Sequence, residues 1–183
     1  MEKETIVQFE CFETNVGLDE FVLQWERYAK RFAGKDAEVT LHQQTCTKSR
    51  FKYVSQHKWP EDSFRFVFMK GRHSENFPEC QVHVVQAGGY TPVQVECMHD
   101  TDADHVKIIF FISNSDTDIS VYKKLLSYRF LNIYEAYYES CLFSYILEFF
   151  AEETHAPDLI KQIKAQTSAA EIGIYKECLI MEE

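Results

Sequence analysis

Five residues with chemical potential recur at every second position between 51 and 59: Phe51, Tyr53, Ser55, His57 and Trp59. Side chains of an extended chain alternate between its two faces, so these five are expected on one face. A phenyl, a phenol, a hydroxyl, an imidazole and an indole in a row suit a small aromatic ligand, with rings to stack on and polar groups to orient it. Trp59, Tyr53, Ser55 and Phe51 are therefore candidate substrate-binding residues. His57 is the candidate base, because an imidazole takes or returns a proton near neutrality. His42, in the preceding extended segment, is a second candidate for proton handling, reaching His57 across a hairpin. A metal centre would need a third ligand, which the spacing does not supply, so no metal is expected. The same face also suits plain packing, with Tyr53 and Trp59 as core between sheets and His57 at a turn or in water.

Other chemistries lack their signatures. The chain contains no G-x-G-x-x-G, Walker loop, G-x-S-x-G or H-E-x-x-H. A calcium loop starting at Asp100 would need Gly at its sixth position and Glu at its twelfth, where His105 and Phe111 stand. The glycine pair at 88 and 89 reads as a turn.

The elements that must position the face follow from periodicity. TIVQFECFET (5–14) is rich in β-formers and reads as a strand. In LDEFVLQWERYAKRFAG, Leu18, Phe21, Val22, Trp25, Tyr28, Ala29 and Phe32 recur at helical spacing. Asp19 and Glu20 in the first turn and Lys30 and Arg31 in the last complement the helix dipole, and Gly34 is a natural stop. EVTLHQQT (38–45) and FKYVSQHKW (51–59) read as a hairpin. Pro60, Glu61 and Asp62 read as a helix entry ahead of FRFVFMKGR, although Phe64, Phe66 and Phe68 also alternate as in a strand. YTPVQVEC (90–97) reads as the next strand.

After the polar stretch 99–105 the same order repeats. VKIIFFIS (106–113) reads as a strand, VYKKLLSYRF as a helix, IYEAYYESCL and FSYILEFFAEE as a strand pair, HAPDLIKQIKAQ as a helix and EIGIYKECLIM as a strand. Residues 119–153 also admit one long helix. The expectation is an α+β chain of two tandem ferredoxin-like βαββαβ repeats, 1–98 and 106–183, joined by an acidic linker at 99–105. A four-stranded sheet with both helices on one face must bury its other face, and two copies bury each other as an intramolecular, pseudo-dimeric α/β barrel. The space between the sheets is then the expected ligand cavity. Further homodimerisation is left open.

Composition narrows the function classes. The chain has 183 residues, 45% hydrophobic and 15% aromatic, enough to build a core. Its net charge of -10, without clustered Lys or Arg, argues against a nucleic-acid partner. No run approaches the roughly 18–20 apolar residues of a membrane span. The acidic N-terminus lacks the basic start of an export signal. Cysteines 11, 46, 80, 97, 141 and 178 have no C-x-x-C spacing, and they are expected as reduced thiols of a cytoplasmic protein.

The element order, with Phe51, Tyr53, Val54, Trp59, Pro60, Glu61 and Phe64, resembles the antibiotic-biosynthesis-monooxygenase group of the dimeric α/β-barrel superfamily. GGYTPVQVE (88–96) resembles its closing strand, and YILEFFAEETHAPDLIKQI (145–163) occupies the equivalent place in the second copy, without a Trp. The resemblance implies cofactor-independent oxidation of a small aromatic or quinone-like compound. It implies, alternatively, a non-catalytic ligand-binding or interaction protein on the same scaffold. Haem binding is a third implication, resting on Trp59 and on His73 as an axial candidate. The Asn that some of these monooxygenases carry in the strand is Ser55 here, and the first strand has no Asn in its body.

Overall fold

In the computed structural model, residues 5–32, 38–45, 49–69, 82–95, 105–113, 118–125, 131–166 and 171–181 are described. The first repeat is β1 (Thr5–Thr14), α1 (Leu18–Phe32), β2 (Glu38–Gln44), β3 (Tyr53–Pro60), α2 (Glu61–Met69) and β4 (Val82–Gln94). The second is β5 (His105–Ile112), α3 (Ile119–Leu125), β6 (Leu131–Ala136), β7 (Tyr145–Glu152), α4 (Ala156–Gln166) and β8 (Glu171–Met181). The eight strands close into one barrel in the order β1-β3-β2-β8-β5-β7-β6-β4.

Within each repeat the sheet order is the same, 4-1-3-2 and 8-5-7-6. The repeats meet at two antiparallel seams, β2 with β8 and β4 with β6. Every described strand thereby has two hydrogen-bonded neighbours, and among the described residues no strand is an edge.

Three packed regions follow from strand alternation. Val7, Phe9 and Cys11 of β1, Val54, Tyr90, Ile109, Phe111, Tyr134, Ile146 and Tyr175 come from strands all around the barrel and fill its interior. The opposite face of the first repeat (Ile6, Phe12, Val39, Leu41, Tyr53, Trp59) packs under Phe21, Trp25 and Ala29 of α1 and Phe64 of α2. The outer face of the second repeat packs under Tyr122 of α3 and Ala156, Ile160 and Ile163 of α4.

The described part of 119–153 is a helix, Ile119–Leu125, and a hairpin of Leu131–Ala136 with Tyr145–Glu152, not one long helix. Leu131 and Ile133 point outward while Tyr134 points inward, and Leu147 and Phe149 alternate with Ile146 in the same way. That period of two is incompatible with a helix. The strand expected at 90–97 begins earlier, at Val82, and takes in the glycine pair expected as a turn. Gly89 lies inside β4 because a Cβ there would come within 2.7 Å of Phe64 Cε1, and closer still to Cζ. The bare backbone is the seat of the Phe64 ring. Pro92 sits where the β4–β6 register shifts, an irregular position that spares a ladder hydrogen bond. The linker 99–105, apart from His105, and the candidate His73 lie outside the described residues.

Candidate functional site

Tyr53, Ser55, His57 and Trp59 do share one face of β3, but that face looks towards α1 and α2 and not into the space between the sheets. The reason is the hydrophobic match. Tyr53 and Trp59 belong to the layer under α1, where the Tyr53 ring stacks on Phe21 with centroids 3.9 Å apart. Its hydroxyl donates to the Val16 carbonyl at 3.1 Å, and burial pushes its pKa up to about 12, so it stays a neutral phenol. Phe51 precedes the strand and turns the other way. It packs inside the barrel against Phe111 and Phe143.

The pairing of β1 with β3 sets Gln8 opposite His57 and Glu10 opposite Ser55. These four residues form a buried polar block in an otherwise apolar layer; the His57 and Ser55 side chains are fully enclosed. His57 Nε2 lies 3.2 Å from Ser55 Oγ and 3.5 Å from Glu10 Oε2. Ser55 Oγ donates to the same carboxylate oxygen at 3.2 Å, while Gln8 Nε2 donates to Glu10 Oε1 at 2.8 Å. The Trp59 indole donates to Gln8 Oε1 at 3.2 Å, and its ring lies nearly parallel to His57, 16° apart. Because Ser55 gives its hydroxyl proton to Glu10, its Oγ accepts from Nε2–H, and the imidazole keeps an acceptor at Nδ1, a buried atom with no hydrogen-bond partner. Trp25 contributes to the same layer an indole Nε1–H that is buried and unpartnered.

His42 does not join His57. Its ladder partner is Val54, so it faces the barrel interior, across the sheet from His57. It is fully buried, and burial, reinforced by Lys107, holds its pKa well below the ordinary histidine value, with the backbone at Val54 partly offsetting this.

Around it lies a second polar group that spans both repeats. Glu148 on β7 accepts hydrogen bonds from Gln56, from Asn132 at 3.4 Å and from Tyr134 at 3.1 Å. Lys107 Nζ is 3.5 Å from Glu148 and donates to Gln56 Oε1 at 3.3 Å. Burial, then Glu148, holds Tyr134 well above the ordinary phenol range. Most of the expected cavity between the sheets is thus occupied by aromatic side chains and by this network.

Gln8, Glu10, Lys107 and Glu148 escape a reading of single segments. Each is a polar residue among apolar neighbours in its strand, and its partners are brought to it by the β1–β3, β5–β7 and β6–β7 registers and by barrel closure. Among the described residues no group of three His, Cys, Asp or Glu side chains is placed to hold a metal ion. No described helix is long and apolar enough to cross a membrane. Of the described cysteines, Cys11, Cys141 and Cys178 are free thiols.

An anthrone oxidase-like protein has a similar structure, with a TM-score of 0.65 over 98% of this chain and 93% of its own at 9% identity. The chain has the dimeric α/β-barrel fold. A mutant chlorite dismutase from Candidatus Nitrospira defluvii matches with a TM-score of 0.54 over 96% of this chain and 93% of its own, at 8% identity. No family model and no curated protein matches the sequence. What is shared at such identities is the single-chain barrel fold. The narrower antibiotic-biosynthesis-monooxygenase grouping is not singled out.

Proposed function

We propose that the protein oxidises a small aromatic compound with molecular oxygen in the layer between the β1–β3 ladder and helices α1 and α2. The observation that carries this reading is the buried His57, whose Nε2 is tied to Glu10 and Ser55 while Nδ1 meets no partner. A carboxylate that helps to orient an imidazole through one nitrogen leaves the far nitrogen to act as a general base. Nδ1 would take the proton of an activated methylene between aromatic rings. The carbanion passes electrons to oxygen and forms a carbon-bound hydroperoxide, which loses water. One methylene and one O2 thus become one ketone and one H2O, with no added reductant. The Trp59 and Trp25 rings would flank the substrate, and the Trp25 N–H would meet its oxygen. The name of the anthrone oxidase-like neighbour agrees with this substrate class.

Oxygen uptake with anthrone-type and hydroquinone-type substrates tests the proposal. His57→Gln should lower turnover at least about 100-fold, the usual scale of general-base loss. Glu10→Gln should lower it less, leaving KM nearly unchanged. Absence of uptake across the panel, or an undiminished rate in His57→Gln, would overturn it.

A second reading is non-catalytic ligand binding, favoured by the tight Tyr53–Phe21 stack that closes one end of the face. It predicts saturable quenching of tryptophan fluorescence without oxygen uptake. Haem fits less well. His57 Nε2 is already engaged by Ser55 and Glu10, and His42 lies across the sheet from it, so the two rings do not face one site.

A further inference from the structure

The buried block of Gln8, Glu10, Ser55 and His57 has a direction, and one atom at its edge sets it. An indole N–H can only donate, so the Gln8 atom facing Trp59 Nε1 at 3.2 Å must be the amide oxygen. The Gln8 NH2 is thereby turned to Glu10 Oε1, at 2.8 Å. An amide NH2 accepts nothing, so Oε1 can present no proton to Gln8. The oxygen suited to carry one is Oε2, 3.2 Å from Ser55 Oγ. Beyond Ser55 stands His57 Nε2, again at 3.2 Å. The direct distance from Nε2 to Oε2 is 3.5 Å, outside the ordinary range of a hydrogen bond, so the hydroxyl bridges the acid and the ring.

A serine hydroxyl has one proton to give. With Glu10 a carboxylate, Ser55 gives it to Oε2 and accepts Nε2–H, which leaves Nδ1 bare. With a proton on Oε2 the chain reverses. The carboxyl donates to Ser55, Ser55 donates to Nε2, and the proton of the neutral ring must sit on Nδ1.

We propose that Ser55 relays protons between His57 and Glu10, and that Gln8, held by Trp59, gives the relay its direction. This rests on His57 as the base of the oxidation and adds where the proton goes. As Nδ1 takes a proton from the substrate carbon, Nε2 passes its own to Ser55 Oγ, and Ser55 passes its former proton to Glu10 Oε2. The substrate C–H, Nε2–H and old Ser55 O–H bonds break; Nδ1–H, a new Ser55 O–H and Glu10 O–H form. The peroxide anion made from the carbanion and oxygen takes the proton back by the same path. The block therefore holds a neutral ring and a neutral acid, which cost less to keep among Phe21, Trp25 and Phe64 than a buried ion pair.

Glu10→Gln tests the relay because it locks the chain in the reversed direction. The new amide must turn its oxygen to the Gln8 NH2 and its own NH2 to Ser55. Two-bond proton–nitrogen correlation spectra of the isotope-labelled full chain, recorded at about pH 8, above the ordinary histidine value, read the tautomer. Spectra of His57→Gln assign the signals. The expected ring is Nε2–H in the unsubstituted chain and Nδ1–H in Glu10→Gln. Oxygen uptake in Glu10→Gln should fall by roughly tenfold or less, since one hydrogen bond must be given up to bare Nδ1. Should Glu10→Gln fail to fold, Glu10→Leu reports the same reversal, because it leaves the ring as the acceptor for Ser55. Adding Gln8→Leu to Glu10→Gln frees the new amide to turn, and part of the signal should return to Nε2–H. The same tautomer with and without Glu10→Gln, or a doubly protonated ring in the unsubstituted chain, would overturn the proposal. A ring wholly Nδ1–H in the double variant would overturn the role of Gln8. Tautomer reversal with no oxygen uptake by any of these proteins would refute the oxidation reading and leave the relay standing.

Discussion

Substituting Gly89 by alanine adds one methyl group where the fold leaves no room for it. The new carbon would lie 2.7 Å from Phe64 Cε1, closer to Cζ, and 3.2 Å from Ile6 Cγ2. Phe64 cannot swing clear. It is buried beside Ile6 and Trp59, and Tyr137 and Tyr138 of the second repeat pack on it at 6.1 and 6.4 Å between ring centroids. The β4 backbone cannot retreat easily either, because the Gly89 carbonyl accepts from the Tyr137 amide at 2.9 Å. Overpacking of this kind costs about 1–3 kcal/mol. Taking about 2 kcal/mol, a chain of this length loses roughly 4–8 °C in melting temperature. Differential scanning calorimetry of Gly89→Ala, Phe64→Leu and the double variant measures it. Phe64→Leu alone should cost about 1–2 kcal/mol in lost burial. Since it also removes the opposing ring atoms, the double variant should be more stable than the sum of the singles by about 1 kcal/mol. An unchanged melting temperature for Gly89→Ala, or strict additivity, would refute the assignment of Gly89 as the seat of Phe64.

Glu148→Leu strands the partly buried Lys107 ammonium and the donors of Gln56 and Tyr134; urea unfolding should show a loss of about 3–5 kcal/mol, reduced when Lys107→Met is added. His42 is held neutral in the fold, so an unfolded chain binds its proton more readily. Its contribution is therefore fully present above the ordinary histidine value of about 6.5 and lost as pH falls from there towards the depressed folded value. His42→Leu should flatten the stability profile below about pH 6.5. Tyr53→Phe removes a single hydrogen bond, and the Val16 carbonyl retains Lys52 Nζ at 2.7 Å, so the loss should stay near the low end of about 0.5–1.5 kcal/mol. Its ultraviolet pH titration should lose one phenol ionising near pH 12.

The fold was legible because its signals are local. The Trp59-Pro60-Glu61 order marks the passage from β3 to α2, and the α1 stripe from Leu18 to Ala29 marks the face that covers the sheet. The four-residue face of β3 was legible by alternation alone. Which layer that face enters was not, since it depends on whether the rings meet a helix or the other sheet. Tyr53 on Phe21 decides that, through a contact 32 positions apart. His42 and His57 look like neighbours in a hairpin. The register that pairs His42 with Val54 puts them on opposite sides, and one residue of slip would have put them on the same face. Gln8 and Glu10 read as ordinary polar residues in a strand until β1 is placed beside β3.

The two seams, β2 with β8 and β4 with β6, lie within one chain, and this changes what mutation can explore. In a barrel assembled from two identical subunits, any polar residue introduced beneath the helices would appear twice, and its destabilising effect would double. Here the layer under α1 and α2 holds Gln8, Glu10, Ser55 and His57, while the corresponding layer under α3 and α4 is built from Ile, Leu, Val and Phe. One copy can lose stability to chemistry while the other supplies it through apolar packing. The covalent joining of the repeats thus uncouples the two halves as targets of selection, although they share both seams of one barrel.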